Sequence, residues 1–154
     1  MKKAAVIAII LAVPLVVAAK AMIFGKKAMF EQSEIIAVVD VTKVDKTITT
    51  GRTWTYHEEA TASVERVFKG KLPKKVTLYG GEDFICAQVH FPLGKQLVFL
   101  RHDEKLLTGA NWFVGVRPIK DDKLEWLADD KTLDFKAADL ASVIKDIEGE
   151  LKKK

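Results

Sequence analysis

A chain of 154 residues has room for one domain, and 49% apolar against 30% charged residues excludes a disordered or collagen-like polymer. The formal charge of +4 is poor ground for nucleic-acid binding, because Lys2, Lys3 and Lys20 lie in the N-terminal segment and leave only +1 on the rest. The single cysteine, Cys86, excludes an intramolecular disulfide.

Lys2 and Lys3 precede Ala4 to Ala19, sixteen residues without a charge, and Ala19-Lys20-Ala21 is a small-x-small site. This pattern predicts a secretory signal peptide over residues 1–21. An uncleaved anchor is the alternative. With Lys20 snorkelling, Ala4 to Phe24 is long enough to span a bilayer, which takes ~20 residues. Either way the folded part is expected outside the cytoplasm: periplasmic, extracellular, or anchored to the outer face of the cytoplasmic membrane. Residues 22–29 read as a link, 30–127 as a small β-barrel, and 128–154 as an amphipathic helix with a basic tail.

Ile35 to Val44 predicts the first strand. Ile35, Ala37, Val39 and Val41 take one face, Ile36 and Val38 the other. A strand buried on both faces at its start suits a barrel in which it serves both sheets. Asp45 to Arg52 reads as a hairpin connection. From Trp54 to Val64 apolar and polar residues alternate, with Glu58 the one charge on the apolar side. The alternation breaks at Glu65-Arg66-Val67-Phe68, which predicts a bulge or a strand end. Lys69 to Lys75 is a turn, and Val76 to Tyr79 a short strand ended by Gly80-Gly81. A loop runs to Gly94. Gln96 to Leu100 is apolar on both faces, as a central strand should be.

Arg101 to Lys105 turns the chain, Leu106 and Leu107 form a strand edge, and Thr108 to Asn111 reads as a turn. Trp112, Val114 and Val116 predict another strand, followed by a tight hairpin around Asp121-Asp122. Leu124 and Trp126 share a face on the returning strand. Over Asp134 to Lys152 the period changes. Leu140, Ile144, Ile147 and Leu151 make one helical stripe, with Thr132 or Asp134 as cap. That helix is expected to cover the barrel.

Cys86 lies among Phe84, Ile85, Ala87 and Val89, which predicts a buried, inert thiol. The alternative is an exposed one available to another chain. Cys86 and His90 are four apart, with Glu82, Asp83, His57 and His102 elsewhere. Zinc needs three or four converging ligands, so no metal or other cofactor is expected. The carboxylate pairs Glu58-Glu59, Asp121-Asp122 and Asp129-Asp130 are sequence neighbours, which face apart in a strand or are solvated in a turn. No nucleophile motif, phosphate loop or redox pair is present, and the expectation is a protein without enzyme activity. Trp54, Tyr56 and Trp112 with Lys69, Lys71, Lys74 and Lys75 could serve nucleic acid. Export argues against it, and the aromatics are expected to fill the barrel.

The entry Phe30 to Ile36, the strand-turn Ser63 to Gly70, and Cys86 followed by Phe91 to Leu100 together resemble the netrin-like domain. This is the OB-fold of the tissue inhibitors of metalloproteinases and their bacterial relatives. The resemblance covers roughly Phe30 to Trp126 and implies a barrel of five or six strands. In the inhibitors the mature chain begins with a cysteine that chelates the protease zinc and is disulfide-bonded to the position matched by Cys86. Here no cysteine lies between Met1 and Phe30, so neither the chelation nor the disulfide carries over. The expected function is a non-catalytic binding domain of the cell envelope with an unknown ligand. The alternative is a protease inhibitor acting without zinc chelation.

Overall fold

The structure, a computed structural model, describes residues 22–130 and 133–153. Residues 1–21, the predicted signal peptide and most of the alternative anchor, and Thr132 as a cap lie outside the described residues; Met22 to Phe24, the end of that anchor, carry no helix, and Phe24 is bonded to Asn111. In chain order the elements are α1 (Lys26–Gln32), β1 (Ile35–Thr50), β2 (Thr55–Lys69), β3 (Lys75–Glu82), β4 (Gly94–Asp103), β5 (Leu106–Phe113), β6 (Val116–Pro118), β7 (Lys123–Leu127), β8 (Phe135–Asp139) and α2 (Leu140–Leu151). The fold is mainly β with a C-terminal helix, as expected. Strands β1 to β6 form one antiparallel sheet in the order β3-β2-β1-β4-β5, with β6 also on β4. A separate ribbon pairs β7 with β8.

The start of β1 is buried on both faces, and the two faces feed two cores. Ile35, Ala37, Val39 and Val41 join Ala60, Leu78, Phe91 and Val98 on one side. Ile36 and Val38 join Leu97, Phe99 and the helices on the other. Strand β4 contributes Val98 and Leu100 to the first core and Leu97 and Phe99 to the second, which makes it the central strand its sequence predicts. The β-branched run Ile35-Ile36-Ala37-Val38-Val39 suits a pleated strand packed on both sides.

Strand β1 has 16 residues and would reach about 50 Å if straight. Yet Ile35 pairs with Leu100, and the far tip of the β1–β2 hairpin touches Asp103, three residues further along β4. The hairpin therefore curls back over the sheet. Register shifts between Ile36 and Ala37, Val38 and Val39, Val41 and Lys43, and Lys46 and Thr49 supply the bend. The second of these is the break predicted near Glu65: Val38 pairs with Arg66 and Val39 with Val64, leaving Glu65 as the extra residue.

Several expectations are corrected. The predicted link of residues 22–29 is partly helical, and α1 buries Met29 and Phe30. The Phe30 ring meets Phe99 edge-on at 5.3 Å, and Phe99 stacks on Trp126 at 5.9 Å. The Lys69 ammonium donates to the carbonyls of Phe30 and Ser33 and so satisfies the exit of α1. Strand β1 runs on to Thr50, so the hairpin connection is Gly51 to Trp54 rather than Asp45 to Arg52.

Thr108 to Asn111 is not a turn but buried β5, because each polar residue finds a partner there. The Thr108 hydroxyl donates to Glu82, and the Asn111 side chain exchanges two hydrogen bonds with the backbone of Phe24. The turn falls instead at Val114-Gly115, inside the strand predicted from Trp112 to Arg117. Asp121 and Asp122 both have positive φ and close the two-residue hairpin that was expected. The C-terminal helix begins at Leu140, not Asp134, because Phe135 to Asp139 pair with β7 and satisfy their backbone in a ladder. Its N-cap is Asp139, and its buried residues are Val143 and Ile147, so Val143 belonged to the stripe. The helix covers one core as predicted, and Trp126 Nε1 and Lys26 Nζ both donate to its Asp146.

Candidate functional site

Three connections of the sheet converge on one aromatic cluster. Trp54 leaves the β1–β2 turn, Phe84 begins the loop between β3 and β4, and Trp112 ends β5. Their ring centroids are 5.0 Å (Trp54–Phe84), 5.2 Å (Phe84–Trp112) and 5.8 Å (Trp54–Trp112) apart. All three are only half-buried. Ile85, next to Phe84, is 96% exposed, and Phe113, next to Trp112, is 45% exposed. Trp112 holds a φ of 50°, a conformation that costs a bulky side chain energy and clusters at functional places.

Trp54 and Phe84 are positioned from below. The Gly51 N–H donates to Trp54 O at 2.8 Å, closing the tip. Asp103, 3% exposed, then fixes that tip to the end of β4. Its carboxylate accepts from Thr53 N at 2.9 and 3.2 Å, from Trp54 N at 3.2 Å and from the Tyr56 hydroxyl at 2.9 Å. Burial alone would raise the Asp103 carboxyl, but the donors of Tyr56, Trp54 and Thr53 outweigh it and hold it below the usual range. Burial, and then the hydrogen bond to Asp103, push the Tyr56 phenol well up. Asp83 N donates to Thr55 O at 3.0 Å and sets Phe84 beside Trp54.

The loop of residues 83–93 is held down by two glutamates. Glu82 is buried and accepts from Val89 N at 2.7 Å and Thr108 Oγ1 at 3.3 Å. Burial raises its carboxyl, and those hydrogen bonds only partly offset the rise. Glu58 accepts from Phe91 N at 3.0 Å and lies 3.0 Å from His90 Nδ1. The one charge on the apolar side of β2 thus serves the loop. Gly80 and Gly81 do not end β3. They let the loop lie on the strand, with Gly81 N donating to Val89 O at 2.7 Å. A Cβ at Gly80 would stand 2.5 Å from that same Val89 carbonyl. Gly80→Ala is therefore expected to cost on the order of 2 kcal/mol, read from urea melts. An unchanged midpoint would mean the loop does not press on the strand.

Cys86 is exposed, contrary to the buried thiol expected from its neighbours. Ala87 and Val89 are buried, but Phe84 and Ile85 turn outward, because a loop carries no fixed alternation of faces. A maleimide is expected to label Cys86 in the folded protein without denaturant, and Cys86→Ser to change stability by less than about 0.5 kcal/mol. Labelling only after unfolding would restore the buried assignment.

The remaining sequence candidates are scattered. His90 faces Glu58, while His102 Nδ1 lies 2.6 Å from Glu34 Oε2 at the start of β1. His57 and Asp83 are exposed and Glu82 is buried. Among the described residues no three His, Cys, Asp or Glu side chains are grouped to hold a metal ion. Glu58 bonds the loop while Glu59 bonds Tyr79, so that pair faces apart. Tyr56 fills the interior, but Trp54 and Trp112 do not, which corrects that expectation. Lys69, Lys71, Lys74 and Lys75 lie at or beyond the other end of β2 from Trp54. The convergence of Phe84 with the two tryptophans had no signal in the sequence. Among the described residues no helix is long and apolar enough to cross a membrane. Comparison of the chain with protein-family models, with curated proteins and with solved structures returns no match.

Proposed function

We propose that the chain is an exported, non-catalytic binding domain of the cell envelope, built as an OB-like barrel, that meets its partner through Trp54, Phe84, Ile85 and Trp112. The observation that carries this reading is the aromatic cluster itself. Three connections bring large rings together at the surface and leave Ile85 almost wholly in water. Aromatic side chains presented on a rigid support are what binding hot spots are made of. Export rests on Lys2 and Lys3 ahead of the uncharged run Ala4 to Ala19. The barrel reading is supported by the curled β1–β2 hairpin and by the bond from Thr108 on β5 to Glu82 on β3, which links the two outer strands, while the netrin-like kinship rests on the sequence motifs alone.

The test compares wild type with Phe84→Ser/Ile85→Ser, both exported and cross-linked in intact envelopes. A cross-linked species lost in the variant at equal melting temperature supports the surface. One that persists moves the contact elsewhere. A reporter fused after residue 30 that works only in the cytoplasm would refute export. Nuclear Overhauser contacts between the backbones of β3 and β5 are expected for a closed barrel, and their absence would leave an open sheet. The second reading, a protease inhibitor, would present the same exposed Ile85 to a cleft. Undiminished activity of a panel of secreted proteases at saturating domain would reject it.

A further inference from the structure

The patch lies beside the point where the N-terminal segment joins the domain. Phe24 N donates to Asn111 Oδ1 at 2.9 Å, and Asn111 Nδ2 donates to Phe24 O at 2.8 Å. Asn111 is buried, so this junction is fixed, and the next residues on β5 are Trp112 and Phe113. The uncharged run ends at Ala19, five residues before Phe24. Five extended residues reach at most about 18 Å. Because Phe24 is bonded to Asn111, an uncleaved anchor would have to run from Ala4 to Met22 with Lys20 snorkelling, and the bilayer surface is then within that distance of the base of the patch.

We propose that the partner of this surface is the lipid bilayer itself: Trp54, Phe84, Ile85, Trp112 and Phe113 dock into the interface of the membrane that anchors the chain. This rests on the proposed binding role of the patch and on the N-terminal segment remaining uncleaved. The chemistry fits the interface. Tryptophan and phenylalanine combine an apolar body with a tolerance for the headgroup level, and belts of them mark membrane surfaces. The Arg117 guanidinium donates to Phe113 O at 2.7 Å at one edge. Arg52 and Asp83, of opposite sign, flank the cluster and are exposed. With the patch itself made of five apolar and aromatic side chains, the docking is mainly apolar insertion, and salt leaves most of it in place. Tethering keeps the patch at high local concentration against the bilayer, so a small apolar area suffices.

The test reconstitutes the full chain in phosphatidylcholine vesicles, with and without bromine on the upper acyl chain. Trp54 and Trp112 report on the patch, and buried Trp126 in the helix-side core reports on the remainder. Wild-type fluorescence is expected to be quenched by the brominated lipid, with most of the quenching kept at high salt. Trp54→Phe/Trp112→Phe, which keeps aromatic rings in place, is expected to lose that quenching. Ile85→Asp/Phe113→Asp, with unchanged near-UV circular dichroism, is expected to lose it as well while still floating with the vesicles. Flotation without quenching in the wild type would overturn docking while leaving the anchor intact. Cleavage of the segment in cells, read by mass spectrometry, would overturn the proposal at its premise and leave the binding role of the patch standing. Self-association in place of quenching would assign the face to a second copy and overturn it too.

Discussion

Val98→Asp is expected to abolish folding, and Thr61→Asp to leave it nearly intact. Val98 is fully buried at the centre of β4, between Ala37 on β1 and Val116 on β6. Its surroundings are aliphatic: Ile35, Val39, Leu78 and Leu100 belong to the same core. An aspartate there either stays charged without a partner or is forced to take up a proton, and both cost several kcal/mol. A domain of this size is stable by only about 5–15 kcal/mol, so one such group is enough to unfold it. Thr61 lies two strands over on β2, half-buried, opposite Lys43 on β1 and Thr77 on β3. An aspartate at that position meets water and a lysine across the ladder, and costs about 1 kcal/mol or less. Thermal melts by far-UV circular dichroism distinguish the two. Equal melting temperatures would mean that the faces of β2 and β4 have been exchanged.

The elements that could be read from the sequence are those whose burial follows their period. Ile35 to Val41 and Gln96 to Leu100 are apolar on both faces, and each supplies two cores. Ile147 lay on the helical stripe and is buried. What could not be read depends on partners distant in sequence. Thr108-Gly109-Ala110-Asn111 has the composition of a turn, but Glu82 and Phe24 take its polar groups. Val89 packs so closely on Gly109 that a Cβ there would stand 2.8 Å from its Cγ2. Phe135 to Asp139 lie beside a helical stripe but find their ladder on β7. Cys86 sits among apolar residues in a loop whose course is set by Glu58 and Glu82, and no local pattern says which of its side chains those glutamates turn inward. The candidate site was legible only as residue types. Trp54 and Trp112 stood out as aromatics, but their meeting with Phe84 follows from the curl of the β1–β2 hairpin.

Asp103 holds that curl, and its removal is expected to have the second largest effect. In Asp103→Ala the amides of Thr53 and Trp54 and the buried Tyr56 hydroxyl all lose their acceptor. An unsatisfied buried donor costs about 1–3 kcal/mol, and with two partly solvated amides added the total is on the order of 3 kcal/mol. Asp103→Asn keeps the shape and one acceptor oxygen, and is expected to lose about half as much. The pH dependence carries a definite sign. Hydrogen bonds hold the folded Asp103 carboxyl below the ~3.9 of an unfolded aspartate. Its contribution is therefore fully present above that value and is lost as pH falls through the lower folded one. Glu82 has the opposite sign. Burial raises its folded pKa above the ~4.3 of an unfolded glutamate, so its contribution is present in acid and is lost as pH rises through the raised value. The two overlap in the wild type, and Asp103→Asn separates them. The gap in melting temperature between wild type and Asp103→Asn is expected to stay constant above about pH 5 and to narrow progressively as pH falls below about 4. At the alkaline end the raised Tyr56 phenol makes stability fall once pH passes the ~10 of an unfolded tyrosine. Because Trp54 hangs from this carboxylate, the same acid range should move its emission toward that of a solvated indole before the domain unfolds. A gap that does not narrow at all as pH falls below about 4 toward acid unfolding would show that Asp103 is not what ties the hairpin tip, and with it the aromatic patch, to the sheet.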